Sequence, residues 1–347
     1  MDLESLGWNT SFADAFRPFE QDGLAPARVA VQHRGEYVVY TQHGEVRAEV
    51  TGRLRNDDDQ PAVGDWVAVA LRPDEGRATI HAVLPRHSAF TRKVAWAETK
   101  PQVVAANVDI VFVVCGLDAN YNVRRIERYL TLAWESGAQP IVLLTKADLC
   151  DDVEARVCEV ESVAIGVPVH SVSAPRGDGV ESVRAYVSQG KTAALLGSSG
   201  VGKSTLVNAL VGEELLATQD VREDGRGRHT TSHRQLVPLP EGGLVLDTPG
   251  MRELQLWDAD SGLEAAFQDL ETLAGQCRFA DCEHRREPDC AVRAALAKGT
   301  LDMERLESWR KLQRELERLA RKQDGRARSE SRKERARFAR SMRKTSY

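Results

Sequence analysis

One stretch constrains this chain more than any other. Gly197, Ser198, Ser199, Gly200, Val201, Gly202, Lys203, Ser204 and Thr205 fit G-x-x-x-x-G-K-[ST], with Gly197, Gly202, Lys203 and Ser204 at the fixed places. The apolar run Thr192–Leu196 leads in as a buried strand would, and Leu206–Leu210 leads out at helical spacing. A helix N-terminus would then aim its unpaired N–H groups and positive dipole end back at the loop. Glycines let the backbone wrap a phosphate with no Cβ in the way. Lys203 is placed to reach β and γ phosphates, and the Ser204 hydroxyl to bind Mg²⁺. A Gly/Ser turn with a stray lysine is the bland alternative, but it leaves strand and helix unexplained. The stretch implies a nucleotide site.

Length and charge bound the rest. A chain of 347 residues allows two or three domains and a sizeable core. Its net charge of −5 hides an asymmetry: residues 321–347 carry 11 Lys/Arg against 3 Asp/Glu, a net of +8 that leaves −13 for residues 1–320. The first residues show no basic segment followed by an apolar one, so no signal peptide is expected. No apolar run approaches the roughly 18 residues of a membrane helix. Six cysteines do not make a disulfide scaffold in a chain this long, and three of them cluster with a histidine, which favours metal. A cytoplasmic location is the default expectation.

Along the chain, residues 1–25 form an extension of mixed, turn-rich composition. Residues 26–90 hold five short strand-like runs, Arg28–Val31, Glu36–Tyr40, Glu45–Val50, Asp65–Val69 and Ala78–Val83, punctuated by glycine. Five such strands suit a small β-barrel of the OB-fold kind. The acidic connector Arg55–Gln60 would repel a phosphate backbone, so an RNA-facing side of the barrel is expected near Arg86, His87, Arg92 and Lys93. From 91 to 262 the texture is α/β. Val108–Val114 reads as a parallel strand buried on both faces, Val123–Ser136 as a helix, and Pro140–Leu144 as the next strand.

That last strand runs into Thr145, Lys146, Ala147 and Asp148. A carboxylate at the C-terminal end of a parallel strand lies where open α/β sheets bind ligands. Asp148 could accept the N1–H and N2–H of guanine, a donor pair adenine lacks, with the Lys146 stem along the base. Here the chain resembles the P-loop GTPases, whose base-recognition motif is N-K-x-D or T-K-x-D. The resemblance extends further. Ser173 and Ala174 match the S-A element, and Asp247-Thr-Pro-Gly250 matches D-x-x-G, which places Asp247 near Mg²⁺ and Gly250 near the γ-phosphate. Thr230 and Thr231 lie where that family keeps its switch threonine, and one of the two, here assigned to Thr231, would be the second magnesium ligand.

The order departs from the usual one, since T-K-x-D and S-A precede the phosphate loop. Cutting a domain at one surface loop and joining its old ends preserves a site built from strand ends. A circularly permuted GTPase domain preceded by a barrel and followed by a Cys/His cluster resembles the RsgA (YjeQ) family over about residues 27–320. That resemblance implies a GTPase, binding GTP and GDP, that docks on the small ribosomal subunit and its rRNA and assists late maturation. It is expected to work as a monomer, with no membrane.

Cys277, Cys282, His284 and Cys290 place four soft ligands within 14 residues. Three thiolates and an imidazole suit tetrahedral Zn²⁺ with no open position, hence a structural site, and the resemblance also implies one zinc there. The surrounding sequence is too polar for a core of free cysteines. Residues 263–322 read as a zinc-binding helical module in which Leu306, Trp309, Leu312, Leu316 and Leu319 form an apolar stripe. Residues 323–347 are a basic tail suited to RNA.

Lys203, His229, Thr230 and Thr231 are the expected catalytic set. Many GTPases orient water with a Gln after D-x-x-G, but this chain has Met251, so unassisted turnover should be slow, and His229 is the best internal substitute. An RNA-binding assembly module using GTP as a structural switch, with negligible turnover, is the alternative.

Overall fold

The computed structural model of the chain describes residues 1–33, 35–55, 60–93, 101–212, 235–247 and 260–321. Five strands come first: β1 Ala25–Gln32, β2 Tyr37–Thr41, β3 Gly44–Val50, β4 Trp66–Arg72 and β5 Arg77–Val83. They are the five runs expected from the sequence, with ends moved by up to three residues. Pairing runs β1–β2–β3–β5–β4 and returns to β1, which closes the barrel. Closure removes the sheet edges, and alternate residues fill the inside, among them Val29, Val39, Val67, Val69 and Ile80.

Residues 1–24, on which the sequence says little, cover one side of this barrel. The helix Thr10–Glu20 starts at Asn9, whose side chain accepts the Phe12 N–H at 3.1 Å. Leu6, Phe12 and Phe16 are buried. Trp8 and Phe12 lie 4.7 and 5.8 Å from the ring of Trp66, which is fully buried on β4.

Two further strands, β6 Ala89–Lys93 and β7 Pro101–Ala106, pair as a small antiparallel sheet absent from the sequence reading. Arg86, expected on an RNA face, is otherwise engaged. Its guanidinium grips the buried Asp65 carboxylate through two bonds of 2.8 Å. Desolvating that carboxylate unpaired would be costly, so Arg86 serves the barrel. The side chains of Arg92 and Lys93 lie outside the described residues.

The second sheet region comprises β8 Ile110–Gly116, β9 Gln139–Thr145, β10 Val169–Val172, β11 Thr192–Leu196, β12 Gln235–Pro238 and β13 Leu244–Asp247. The order is β10-β9-β8-β11-β13-β12, parallel except for β12. Every residue of β8 is buried, as the apolar run requires. Its Ile110, Phe112 and Val114 cluster with Val183, Leu206 and Leu210 of the helices Val180–Arg184 and Lys203–Val211. Val111, Val113 and Cys115 cluster with Ile126 and Leu130 of the helix Val123–Glu135. Helices therefore cover both faces.

Barrel and α/β sheet are joined. Val31 of β1 pairs with Gln235 of β12, and the Tyr40 hydroxyl donates to Leu236 O at 3.0 Å. The buried Arg28 guanidinium donates to Leu6 O, Gly64 O, Asn107 O and Thr192 Oγ1, the last two at 3.0 and 2.8 Å. Burial draws its pKa down to about 10, against the pull of Asp109 and Asp65, so it stays cationic at neutral pH.

At the C-terminal end the helices Asp260–Ala266, Gln268–Ala274 and Ala291–Lys298 precede a helix over 303–321. Leu306, Trp309, Leu312 and Leu316 of the expected stripe are buried. On the same helix Arg305, 3% exposed, bonds Glu127 Oε1 at 3.0 Å and both Asp269 oxygens at 2.7 Å. Glu127 is fully buried on Val123–Glu135 and also takes Arg124 at 2.8 Å. Removing one member of such a group strands the others, typically at about 3–5 kcal/mol. The terminal helix is thus held to the α/β sheet by buried charge as well as by its apolar stripe.

Candidate functional site

β11 delivers the chain to Gly197, where a Cβ would stand 2.4 Å from Val114 O, so only glycine fits. Gly202, at φ +92°, turns the loop into the helix Lys203–Val211. The unpaired N–H groups at that helix start face the loop. Lys203 Nζ donates to Gly197 O at 2.8 Å and to Ser198 O at 2.6 Å, which fixes the ammonium over the loop. Ser198, Ser199, Lys203, Ser204 and Thr205 are half-buried, Gly200 is exposed, and Val201 anchors the loop in the core.

β9 ends beside it. The Thr145 hydroxyl, buried, donates to Val201 O at 2.5 Å and lies 3.3 Å from Cys115 O. The first residue of T-K-x-D is thereby strapped to the phosphate loop, although 56 residues separate Thr145 from Val201. Lys146 sits in the left-handed region at φ +59°, and Ala147–Leu149 forms a single 3-10 turn. Asp148 Oδ1 accepts the Ser173 hydroxyl at 2.7 Å. That hydrogen bond, aided by Arg176 and Lys146, holds the half-buried carboxyl below its ordinary range. Ser173 is itself fixed at the end of β10 by backbone bonds with Asp178 of 2.9 and 3.1 Å, and Ala174 follows it half-buried.

The strand ends carrying T-K-x-D, S-A and the phosphate loop thus open on one edge of the sheet. β13 runs parallel to β11 and ends at Asp247, which brings the first residue of D-x-x-G to the same edge. The Asp247 side chain, Gly250, Met251, His229, Thr230 and Thr231 lie outside the described residues. Two residues not singled out from the sequence also reach the site. Arg125 Nη1 donates to Ser198 Oγ at 2.8 Å, and Asp118 Oδ2 accepts Lys146 Nζ at 2.6 Å. Their only signal in sequence is position, in the segment that follows a buried parallel strand.

A separate cluster lies in the C-terminal region. The candidate ligand atoms of Cys277, Cys282, His284 and Cys290 all fall within 4.8 Å of one another. The sulfurs of Cys277 and Cys290 are 3.8 Å apart, and each lies 3.5 Å from His284 Nδ1. A tetrahedral zinc with ordinary Zn–S and Zn–N lengths would set those edges at about 3.8 and 3.5 Å. The surrounding loop is braced to hold that shape. Glu287 accepts the N–H groups of Glu283, Arg285 and Arg286 at 3.1, 2.7 and 2.9 Å. Backbone hydrogen bonds, its own N–H first, depress its pKa to about 2. Arg310 donates to Glu283 O and His284 O, and the Arg293 N–H points at Cys290 Sγ from 3.5 Å. The donor set and its spacing fit zinc.

Comparison with known proteins places the chain in a family. The family model described as RsgA GTPase matches residues 83–257. A second, for ABC transporters, matches residues 180–344, under half of the chain; it takes in the phosphate loop but not Asp148 or Ser173. The small ribosomal subunit biogenesis GTPase RsgA of Opitutus terrae is 50% identical over 93% of this chain and 92% of its own length. The protein of that name from Streptomyces coelicolor is 48% identical over 96% and 91%. Among solved structures, YjeQ from Thermotoga maritima aligns with a TM-score of 0.65 at 30% identity, covering 84% of this chain and 98% of that one. YloQ, a circularly permuted GTPase, aligns at 0.62 with 23% identity over 85% and 95%, which bears on the fold.

Proposed function

We infer the function of this chain from its family: it belongs to the RsgA GTPases, and it is a GTP hydrolase of small ribosomal subunit biogenesis. At the site, the observation that carries this reading is Asp148, an ionised carboxylate steadied by Ser173 beside a phosphate loop strapped to its own strand. Guanine offers the paired N1–H and N2–H donors that such a carboxylate accepts.

In the site we propose, the N–H groups of Gly197–Thr205 cradle the phosphates and Lys203 neutralises them. Thr145, Lys146, Ala147, Asp148, Ser173 and Ala174 frame the base. Asp247 and Gly250 stand on the γ-phosphate side. Mg²⁺, when bound with GTP, would supply further charge neutralisation at the phosphates. The Ser204 and Thr231 hydroxyls are hard oxygen donors that suit it. His229, next to Thr230, orients the attacking water, a task the Met251 thioether cannot perform. The roles of His229, Thr230, Thr231 and Gly250 rest on the sequence.

The C-terminal cluster holds one structural zinc in this reading. Metal analysis is expected to return one zinc per chain, and chelation to melt the 277–290 loop, because structural zinc binding is folding energy. Nucleotide binding is expected to persist, since no residue of that site lies in the cluster. Metal-free protein after careful purification, or loss of GTP binding to chelator in Mg²⁺-replete buffer, would contradict this assignment.

The chain is proposed to dock on the small subunit as a monomer, in the cytoplasm, through barrel, zinc module and tail. A concavity of about 860 Å³ between the Cys/His loop and the helix 303–321 is lined by both signs of charge, Arg285, Arg310, Lys311 and Arg314 against Glu283, Glu307 and Glu317, so the excess of positive charge for rRNA lies in the tail. Residues 326–347 add 9 Lys/Arg against 2 Glu. Subunit binding should weaken with salt, and truncation at 325 should lower the log–log slope by about 0.7–0.9 per lost phosphate contact. An unchanged slope would mark the tail as a bystander.

A further inference from the structure

The turn between β8 and the helix Val123–Glu135 belongs to none of the nucleotide motifs, yet it touches both halves of the site. At one end Asp118 Oδ2 takes the Lys146 ammonium at 2.6 Å, both side chains about one-fifth exposed. The other Asp118 oxygen accepts the Asn120 N–H at 2.9 Å. At the far end Arg125 Nη1 donates to Ser198 Oγ at 2.8 Å and reaches Asn120 O at 3.5 Å.

The segment between is stiff. The Tyr121 N–H bonds Asp118 O at 2.9 Å, and its hydroxyl donates to Glu159 at 3.0 Å. Asn122 caps the helix by accepting the Arg125 N–H at 3.0 Å. The helix is already seated by Ile126 and Leu130, so the fold does not need the two outer contacts. Lys146, moreover, is a non-glycine residue held at φ +59°, a conformation that persists where its surroundings fix it.

We propose that Asp118 and Arg125 are positioning residues that lock the base-side lysine and the phosphate loop into one frame, so that the site is set before nucleotide enters. This rests on the reading of the site as a guanine-nucleotide site. Asp118 acts through Lys146, Arg125 acts through Ser198, and the 118–125 turn couples the two. Preorganisation of this kind lowers dissociation more than it raises association.

The test is stopped-flow binding of fluorescent GDP, in Mg²⁺ buffer, to the full chain and to Asp118→Asn, Arg125→Ala, Arg125→Lys and Ser198→Ala. Asp118→Asn, Arg125→Ala and Ser198→Ala should each raise the dissociation rate about tenfold with little change in association. Ser198→Ala should add nothing in the Arg125→Ala background, and Arg125→Lys should restore part of the loss. Asp118→Asn combined with Arg125→Ala should cost less than the product of the single effects. Wild-type dissociation rates in Asp118→Asn and Arg125→Ala would overturn the proposal, and so would strictly multiplicative effects in the double variant. Failure of wild type to prefer GDP over ADP would instead sink the underlying reading of the site.

Discussion

Asp148→Asn is expected to turn a guanine site into a xanthine site. The carboxylate accepts two donors from guanine; the amide keeps one acceptor and presents an N–H₂ that meets the guanine amino group donor to donor. Sites built around such hydrogen bonds discriminate strongly, because the mismatched partner leaves polar groups unpaired. GTP affinity should therefore fall on the order of 10²–10⁴-fold. Xanthosine triphosphate, with a carbonyl in place of the amino group, should bind more tightly to the variant than to wild type. The effect should be confined to the base, since Thr145, two residues before Asp148's neighbour Ala147, keeps its bond to the Val201 carbonyl. Calorimetric titration with GTP, xanthosine triphosphate and ATP reads all three expectations. Unchanged GTP affinity would remove Asp148 from the base site.

His229→Ala should have an effect of comparable size on turnover. We expect GTP binding to stay near wild type, because no phosphate or base contact is assigned to this side chain. The subunit-stimulated rate should fall by about 10²–10⁴-fold, the usual contribution of a group that positions or deprotonates water. Single-turnover hydrolysis on purified small subunits isolates that step from product release. Full stimulated turnover in the variant would transfer the water-orienting role to the partner or to another residue.

What could be read in the sequence was local. The phosphate loop and T-K-x-D each sit at the end of an apolar run that reads as a buried strand, and S-A follows the shorter, half-buried strand β10, so their meeting on one sheet edge followed from pattern. Permuted order made no difference, because strand ends meet in space. The Cys/His cluster was legible for a similar reason: its ligands are close in sequence, and their chemistry names the metal class.

Long-range partners were not legible. Arg28 looks like an ordinary strand arginine until Thr192, 164 residues away, is beside it. Arg86 read as a surface cation because nothing local reveals that Asp65 is buried and needs it. Glu127 and Arg305, 178 residues apart, form a buried pair that neither amphipathic pattern announces. Residues 1–24 carry Trp8, Phe12 and Phe16 without a motif, and only the fold shows what they cover: Trp8 and Phe12 pack on the buried ring of the barrel residue Trp66, and Phe16 packs on Trp8. Asp118 and Arg125 were overlooked for the same reason, since their partners Lys146 and Ser198 lie on other strand ends.

The central claim is that this chain is a GTP hydrolase whose turnover is switched on by the small ribosomal subunit. Phosphate release from GTP, measured with purified small subunits, with large subunits and with protein alone, tests it most directly. The account predicts slow turnover alone, strong stimulation by small subunits, little by large ones, and no comparable turnover of ATP. A rate that small subunits leave unchanged would contradict it, and would favour an assembly module that uses GTP as a structural switch.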